Sequence, residues 1–576
     1  MVKTVTFALL GVWTLGLLGN DHAYGVGYPF NDEQSPIALP EVDPPPLDIH
    51  PLIVSGPAKN RVDLVFFSDG YLLKEKDKFI QDALRLAEDV SSNTTFNTVR
   101  PLMNFWAAFT ASEESGVGTG GKPKKTPYGL YRNGTELRAV YYAYPQVADA
   151  ACTSMAEQCD FPILLGNDPL YGGLGGRFTV ITSSILNGPQ ILRHELGHSI
   201  IPVGEEYDGG FAYFGVNAYH NTSEPVPWAH WMTENEKDTE ESPKSPPPRT
   251  TDLASPRVER NVMPMQIYPW TLLNTSSPFK ATFVSSGTFP RYIVRFSLSG
   301  LPEESDLRVE LDGKDLGWKP KVGLGMDRWH YDVKLGQGWV DLDGNVMSNG
   351  ESEGLAGGEH ELSFVLVNKD REGEAQLCSA EVLEFGTEED FAWTNGFERF
   401  ISIPGYYGVF PTFSDANETS YRPTNEDCLM RIVTTPNFCS VCLEGLWHAL
   451  LSRVRLIDDL IVSRTEESGM AGLDSKADKE KKVTIEARLV PLAQFRLDLA
   501  ERGSHSSDSV QLRALAEEES YFITWFRNDV ALPAYENQTK IEVADEGVYA
   551  IDVLFRTPEV RLDREGHLRD RKEIVI

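Results

Sequence analysis

The sequence predicts an α/β core, interrupted by a β-rich insertion and followed by a second β domain. Three observations lead there. Between residues 61 and 200, strand-length apolar runs alternate with stretches of helical period. From 290 to 387 the pattern changes to short alternating strands separated by turns such as Asp312-Gly313 and Asp343-Gly344. From 481 the alternation returns, after a polar and charged stretch. At 576 residues the chain is long enough for more than one hydrophobic core.

The elements follow in order. Lys3, the apolar run Phe7–Leu18 and the small residues of His22-Ala23-Tyr24-Gly25 predict a signal peptide over 1–25. That run is short for a membrane span, and no later stretch has the required length. A proline-rich lead-in follows over 26–54, with Pro44-Pro45-Pro46 at its centre and no cysteine to block a metal. The first core segment occupies 55–256. Arg61–Phe67 reads as a buried strand, Asp69-Gly70-Tyr71 as a turn, and 73–90 as a helix with Phe79, Ala83, Leu84 and Ala87 on one side. Strands are expected at Asn104–Phe109, Phe161–Leu165 and Phe178–Ile181. The glycine-rich turn Gly172–Gly176 lacks a P-loop Lys-Ser/Thr and precedes a strand, so it reads as a flexible cleft edge.

Residues 235–256 are charged and proline-rich and read as an exposed loop. A β-sandwich-like insertion covers 257–394, with strands at Tyr292–Phe296, Leu307–Leu311 and Leu362–Val367. The core resumes over 395–462. There Val441, Leu443, Leu446, Trp447, Leu450, Leu451 and Val454 predict a helix across 441–462, with His448 as a structural residue. A linker over 463–480 leads to an Ig-like β domain over 481–576, marked by Tyr521–Phe526 and Glu546–Asp552.

The strand at Phe178–Ile181 is followed by Arg193-His194-Glu195-Leu196-Gly197-His198-Ser199. Four residues make about one helical turn, so His194 and His198 share a face and can reach one zinc ion. Glu195 stands beside that ion, as in the H-E-x-x-H arrangement. Asn187-Gly188-Pro189 is a helix-start signal, and Pro202 stops the helix soon after His198. A catalytic zinc needs a third protein ligand and an open position. Beyond the turn at Gly204 come Glu205 and Glu206; Glu205 is preferred as the ligand, with Glu206 as a substitute or as partner to a ligand histidine. Such a centre would use one zinc ion, with Glu195 as general base.

The leader and six N-x-S/T sequons, at Asn93, Asn133, Asn221, Asn274, Asn417 and Asn537, predict a secreted, glycosylated extracellular protein. Six cysteines fit an oxidising compartment. Cys152 and Cys159 are spaced for a local bridge. Cys428, Cys439 and Cys442 cluster, and Cys378 stands alone. Disulfides are expected, with a zinc knuckle at Cys439-Ser440-Val441-Cys442 as the rival. A net charge of −32 argues against nucleic acid and anionic membranes as partners and says nothing about the reaction; the protein or peptide substrate is expected from the H-E-x-x-H arrangement.

With these residues in view, the chain resembles the IgA peptidase family of zinc metalloendopeptidases, in a secreted fungal-type form. Arg61–Tyr71 looks like the start of the family's catalytic domain, as do Asn104-Phe105-Trp106 and Glu113–Gly116. Tyr171–Gly176 and Thr182-Ser183-Ser184 precede the histidine helix as in the family. His194–Ser199 through Glu206-Tyr207 resembles its HEFGHS…DEY pattern. Tyr421-Arg422-Pro423, Asp427–Arg431 and Phe438–Cys442 match a second block. The resemblance covers roughly 55–235 and 395–460. It implies a metzincin-like domain with zinc at His194 and His198, Glu195 as base, and a methionine turn at Met430. The family's usual Asp before Glu-Tyr is Glu205 here, one methylene longer. The implied activity is secreted zinc-dependent endopeptidase action on extracellular proteins. The alternative is a non-catalytic adhesion protein that uses its Ig-like domains and keeps a vestigial zinc site. The intact Glu195 speaks against it.

Overall fold

The computed structural model describes residues 42–92, 95–209, 214–220, 223–233, 261–336, 353–385, 405–414, 418–425, 427–435, 437–464, 482–493 and 517–576. The signal peptide, residues 26–41 of the lead-in, the 235–256 loop, the Asp343-Gly344 turn, residues 465–480 and the sequons at Asn93, Asn221 and Asn417 lie outside them.

The fold is mixed α/β, with many sheets and few helices among the described residues. Its centre is a six-stranded sheet of β1 (Asp48–Ile53), β2 (Val62–Asp69), β3 (Met103–Phe109), β4 (Phe161–Gly166), β5 (Gly173–Leu174) and β6 (Thr179–Thr182). The strand order is β1-β3-β2-β4-β6-β5. The inner pairs β3–β2, β2–β4 and β4–β6 are parallel; the edge strands β1 and β5 run antiparallel to their neighbours. β1 arises from the end of the lead-in, where no strand was expected. Its sequence is not apolar-periodic, and it joins by backbone pairing at an edge, where Pro51 is tolerated beside a register shift.

Every residue of β2 is buried, because both faces of the sheet are covered. On one face Val62, Leu64 and Phe66 pack with α1 (Lys76–Ser92) and α3 (Asn187–Ile200). On the other, Val65 and Phe67 meet Ala148 and Ala151 of α2 (Pro145–Ser154). α1 buries Phe79, Ala83, Leu86, Ala87 and Val90, so Leu86 takes the core place expected for Leu84. Its period of three to four residues sets that face.

The insertion forms two sheets around a core of its own. One holds Asn261–Ile267, Arg291–Ser299, Trp329–Gly336 and Gln376–Phe385; the other holds Phe279–Ser285, Leu307–Leu311 and Gly358–Leu366. Phe296 and Phe364 meet between them with ring centroids 5.5 Å apart. Asp327 ties this unit to the start of α3. Its Oδ2 accepts from Ser184 Oγ (2.7 Å) and Asn187 Nδ2 (2.8 Å), and its Oδ1 accepts from Tyr171 N (2.5 Å).

The helix expected across 441–462 is shorter. α4 spans Ser440–Leu451, and Ile457–Arg464 is a strand paired antiparallel with Val483–Leu489. Ile457, Ile461 and Val462 are β-branched and suit a strand, and pairing with the distant segment decides their state. Ser520–Arg527, Val548–Arg556 and Arg569–Val575 form a further sheet.

Candidate metal centre

α3 carries the histidine pair because its apolar residues fix its rotation. Leu192 and Leu196 are fully buried in the central core, which turns His194 and His198 together to one side. Arg193 is buried and paired with Asp89 of α1. After Ile200 the chain leaves the helix and is turned back by a close approach. Gly215 has φ +91°, and a Cβ there would lie 1.8 Å from Pro202 O. Asn217 then clamps the turn: its Oδ1 accepts from Gly204 N, and its Nδ2 donates to Gly204 O, each at 3.0 Å. This turn delivers Glu205 to the histidines.

The two imidazoles are oriented by carbonyl groups. His194 Nδ1 donates to Leu429 O and His198 Nδ1 to Val203 O, each at 3.2 Å. A carbonyl only accepts, so both Nδ1 atoms carry hydrogen and both Nε2 atoms present lone pairs inward. The Nε2 atoms are 3.3 Å apart, and Glu205 Oε1 lies 3.4 and 3.0 Å from those of His194 and His198. Three facing lone-pair atoms require a cation between them. Nitrogen and oxygen ligands about 2.0–2.2 Å from one zinc ion stand about 3.3–3.6 Å apart at tetrahedral angles, close to the spacing found. Glu205 Oε2 is buried without a hydrogen-bond partner. The donor set therefore fits a divalent cation of zinc type.

A proton competes for the same place. Burial alone would lower His194, but the charge and hydrogen bond of Glu205 outweigh it and raise the imidazole to about 9. Burial would raise Glu205, yet the two imidazoles hold its carboxyl well below the usual range. Glu195 lies next to this centre and differs from both. Burial holds it above the ordinary carboxylate range against the pull of His194 and His198. Its Oε2 is buried and unpartnered. The glycine-rich turn passes directly over it: a Cβ at Gly175 would lie 2.4 Å from Glu195 Oε2.

The structure thus brings together His194, Glu195, His198 and Glu205, and it turns Glu206 away. Glu206 Oε1 accepts from Asn217 Nδ2 (2.8 Å) and faces the Cys428, Cys439 and Cys442 cluster. It does not partner a ligand histidine; the carbonyls of Leu429 and Val203 do that. Met430 lies beneath α3, with its Sδ 3.4 Å from a Cβ placed at Gly197. Cys152 and Cys159 form the expected disulfide, whereas Cys378, Cys428, Cys439 and Cys442 are free and buried. Sequence reasoning missed Asn217 and the Leu429 carbonyl. Neither has a local signal, since each reaches the site through the fold.

Fold and centre together define a mixed α/β core that carries a candidate metal centre. Residues 50–243, about a third of the chain, match the family model described as IgA peptidase M64. That part of the chain is thus similar to the IgA peptidase family, whose members are metallopeptidases. No curated protein matches the chain. Solved structures resemble it only loosely. The ANXUR2 extracellular domain from Arabidopsis thaliana is 18% identical with a TM-score of 0.13, covering 20% of this chain and 30% of its own. A GH2 beta-galacturonidase from Eisenbergiella tayi is 10% identical with a TM-score of 0.09, covering 52% and 34%. A two-domain esterase active on acetylated mannans is 10% identical with a TM-score of 0.13, covering 57% and 92%. The chain thus spans about a third of the length of the ANXUR2 ectodomain.

Proposed function

We propose that this protein is a secreted zinc-dependent endopeptidase that hydrolyses peptide bonds in extracellular proteins, with Glu195 as general base. The observation that carries the reading is the orphaned, buried Oε2 of Glu195 beside two inward-facing imidazole lone pairs. His194, His198 and Glu205 would hold one zinc ion. When bound, zinc supplies Lewis-acid polarisation of a carbonyl and activates water near neutral pH. Glu195 Oε2 takes a proton from the attacking water and hands it to the leaving amine. Its burial favours the return of that proton, because the carboxylate form is the costly one. The Leu429 and Val203 carbonyls keep both ligand imidazoles in one tautomer throughout. Gly173 and Gly175 wall the base from the β5 side.

Met430 under α3 supports a metzincin-like arrangement, and the paired sheets over 483–576 support an Ig-like C-terminal unit. Secretion rests on the leader, the Cys152–Cys159 bond and the exposed sequons at Asn133, Asn274 and Asn537. The test is cleavage of a broad peptide library, read by mass spectrometry, with Glu195→Gln beside the wild type. The variant should keep its zinc and lose about 10²–10⁴-fold or more of the rate. Equal cleavage by both proteins would remove the mechanism.

A further inference from the structure

Behind the histidine centre, four more groups of metal-binding chemistry converge. One ligand atom each from Glu206, Cys428, Cys439 and Cys442 lies within 4.8 Å of all the others. All four residues are buried, none more than 3% exposed. Cys428 Sγ and Cys442 Sγ are 3.8 Å apart, and Cys442 Sγ is 3.9 Å from Glu206 Oε1. Thiolates about 2.3 Å from a shared zinc ion stand about 3.8 Å apart at tetrahedral angles. A disulfide would need the sulfurs at about 2.05 Å. One bond among three cysteines would also strand the third thiol beside a buried carboxylate. Glu206 Oε2 is buried and has no hydrogen-bond partner. A cation among the four groups satisfies that oxygen and the sulfurs together.

The local structure presents the thiols for this purpose. Cys439 is the N-cap of α4 and Cys442 lies in its first turn, so the C-x-x-C spacing places both at one helix end. The loop from Cys428 folds back on the same end, with Leu429 N donating to Asn437 O (2.8 Å) and Cys439 N donating to Cys428 Sγ (3.4 Å). We propose that Glu206, Cys428, Cys439 and Cys442 bind a second zinc ion, structural in role and separate from the His194–His198–Glu205 centre. Four protein ligands leave no open position, which is the mark of a structural site.

The second ion explains why two glutamates stand side by side. Glu205 faces the histidines and Glu206 faces the thiols, so one turn joins both centres. The same holds for the other wall. Cys428 is a ligand of the second ion, Leu429 O orients His194, and Met430 O accepts from Glu206 N (2.9 Å). The second ion therefore fixes the loop that orients a ligand of the first.

The test uses full-length protein purified without reductant from zinc-replete medium. The measurements are metal content, thiol titration after unfolding in chelator, and absorption after exchange with cobalt. Wild type should hold two zinc ions and release four thiols, those of Cys378, Cys428, Cys439 and Cys442. Its cobalt form should show thiolate-to-cobalt charge-transfer bands. His194→Ala should drop to one zinc and keep those bands; Cys442→Ser should drop to one and lose them. One zinc with two thiols in the wild type means a disulfide and overturns the proposal. One zinc with four thiols and no thiolate–cobalt bands overturns it as well. If Cys442→Ser does not fold, the wild type and His194→Ala decide alone. Thiolate bands without any His194-dependent metal would support the second site while removing the peptidase reading.

Discussion

At the scale of single residues, the centre separates groups that the sequence makes look alike. Glu195, Glu205 and Glu206 are all buried carboxylates within twelve residues, yet their neighbours give them three different settings. Two imidazoles keep Glu205 ionised, whereas burial holds Glu195 above the ordinary range, with its outer oxygen unpaired. That oxygen is positioned by an absence of side chain. A methyl group at Gly175 would sit 2.4 Å from Glu195 Oε2, and the flexible end of Glu195 would move rather than the backbone. Gly175→Ala should thus cost little stability but displace the Glu195 carboxylate, the proposed base, by about an ångström. The expected result is a fall in kcat of about 100-fold, with zinc content and melting temperature near wild type. Full activity in this variant would show that Glu195 does not work from the observed position. Loss of metal would show that the turn supports the ligands rather than the base.

At the scale of elements, β2 combines a long buried run with buried charge. Asp63 is fully buried; its Oδ1 accepts from Trp106 Nε1 (2.6 Å) and Asn104 Nδ2 (3.0 Å), while Oδ2 has no partner. Burial raises its carboxyl to about 6 despite those two hydrogen bonds. A raised acid is held more tightly by protons in the folded state than in the unfolded one. Its stabilising effect is complete below the unfolded value near 3.8 and is lost as pH rises through about 6. Denaturant midpoints should accordingly fall as pH rises from about 4 to 6. Asp63→Asn should flatten that part of the profile; an unchanged slope would rule Asp63 out as its source. The same element shows what a sequence displays. β2, β3, β4, β6 and α3 were legible because apolar period and length act locally. β1 was not, because it is an edge strand held by its partner's backbone. The helix expected across 441–462 ran too long for a related reason: Ile457–Arg464 becomes a strand only through pairing with Val483–Leu489. At the centre, the H-E-x-x-H spacing pointed to His194, Glu195 and His198, and the turn pointed to a neighbouring glutamate. The choice between Glu205 and Glu206 depends on Asn217 and on the distant Cys428–Met430 loop, which no local pattern reveals.

At the scale of the molecule, the two β-rich parts relate differently to the centre. The insertion has its own core and touches the start of α3 through Asp327 and Arg328, whose backbone carbonyl accepts from Asn187 Nδ2 (2.8 Å). Among the described residues, the C-terminal part shares its core with the rest: Ile485, Tyr521, Ile551 and Phe555 belong to the same apolar cluster as Leu196 and Trp447. Trp447 of α4 packs on Phe555 at 5.5 Å and donates to Glu559 Oε2 (2.7 Å). Glu444 Oε1 accepts from Arg561 N and Leu562 N, and Arg61, just before β2, grips Asp458 with its two terminal guanidinium nitrogens (2.6 and 2.9 Å). α4 in turn presents Cys439 and Cys442 to the cluster that holds Glu206. Removing residues 481–576 would expose Trp447 and strip Ile457–Arg464 of its strand partner. Each large apolar side chain returned to water costs about 1.5–3 kcal/mol, and a few such losses equal the whole stability of a typical domain, about 5–15 kcal/mol. The truncated chain should therefore fail to melt cooperatively and should be digested by limited proteolysis well into the segment before 460, although every residue of the histidine centre is retained. A truncated protein that melts in a single transition and keeps its zinc would show instead that the C-terminal sheets are a separable domain.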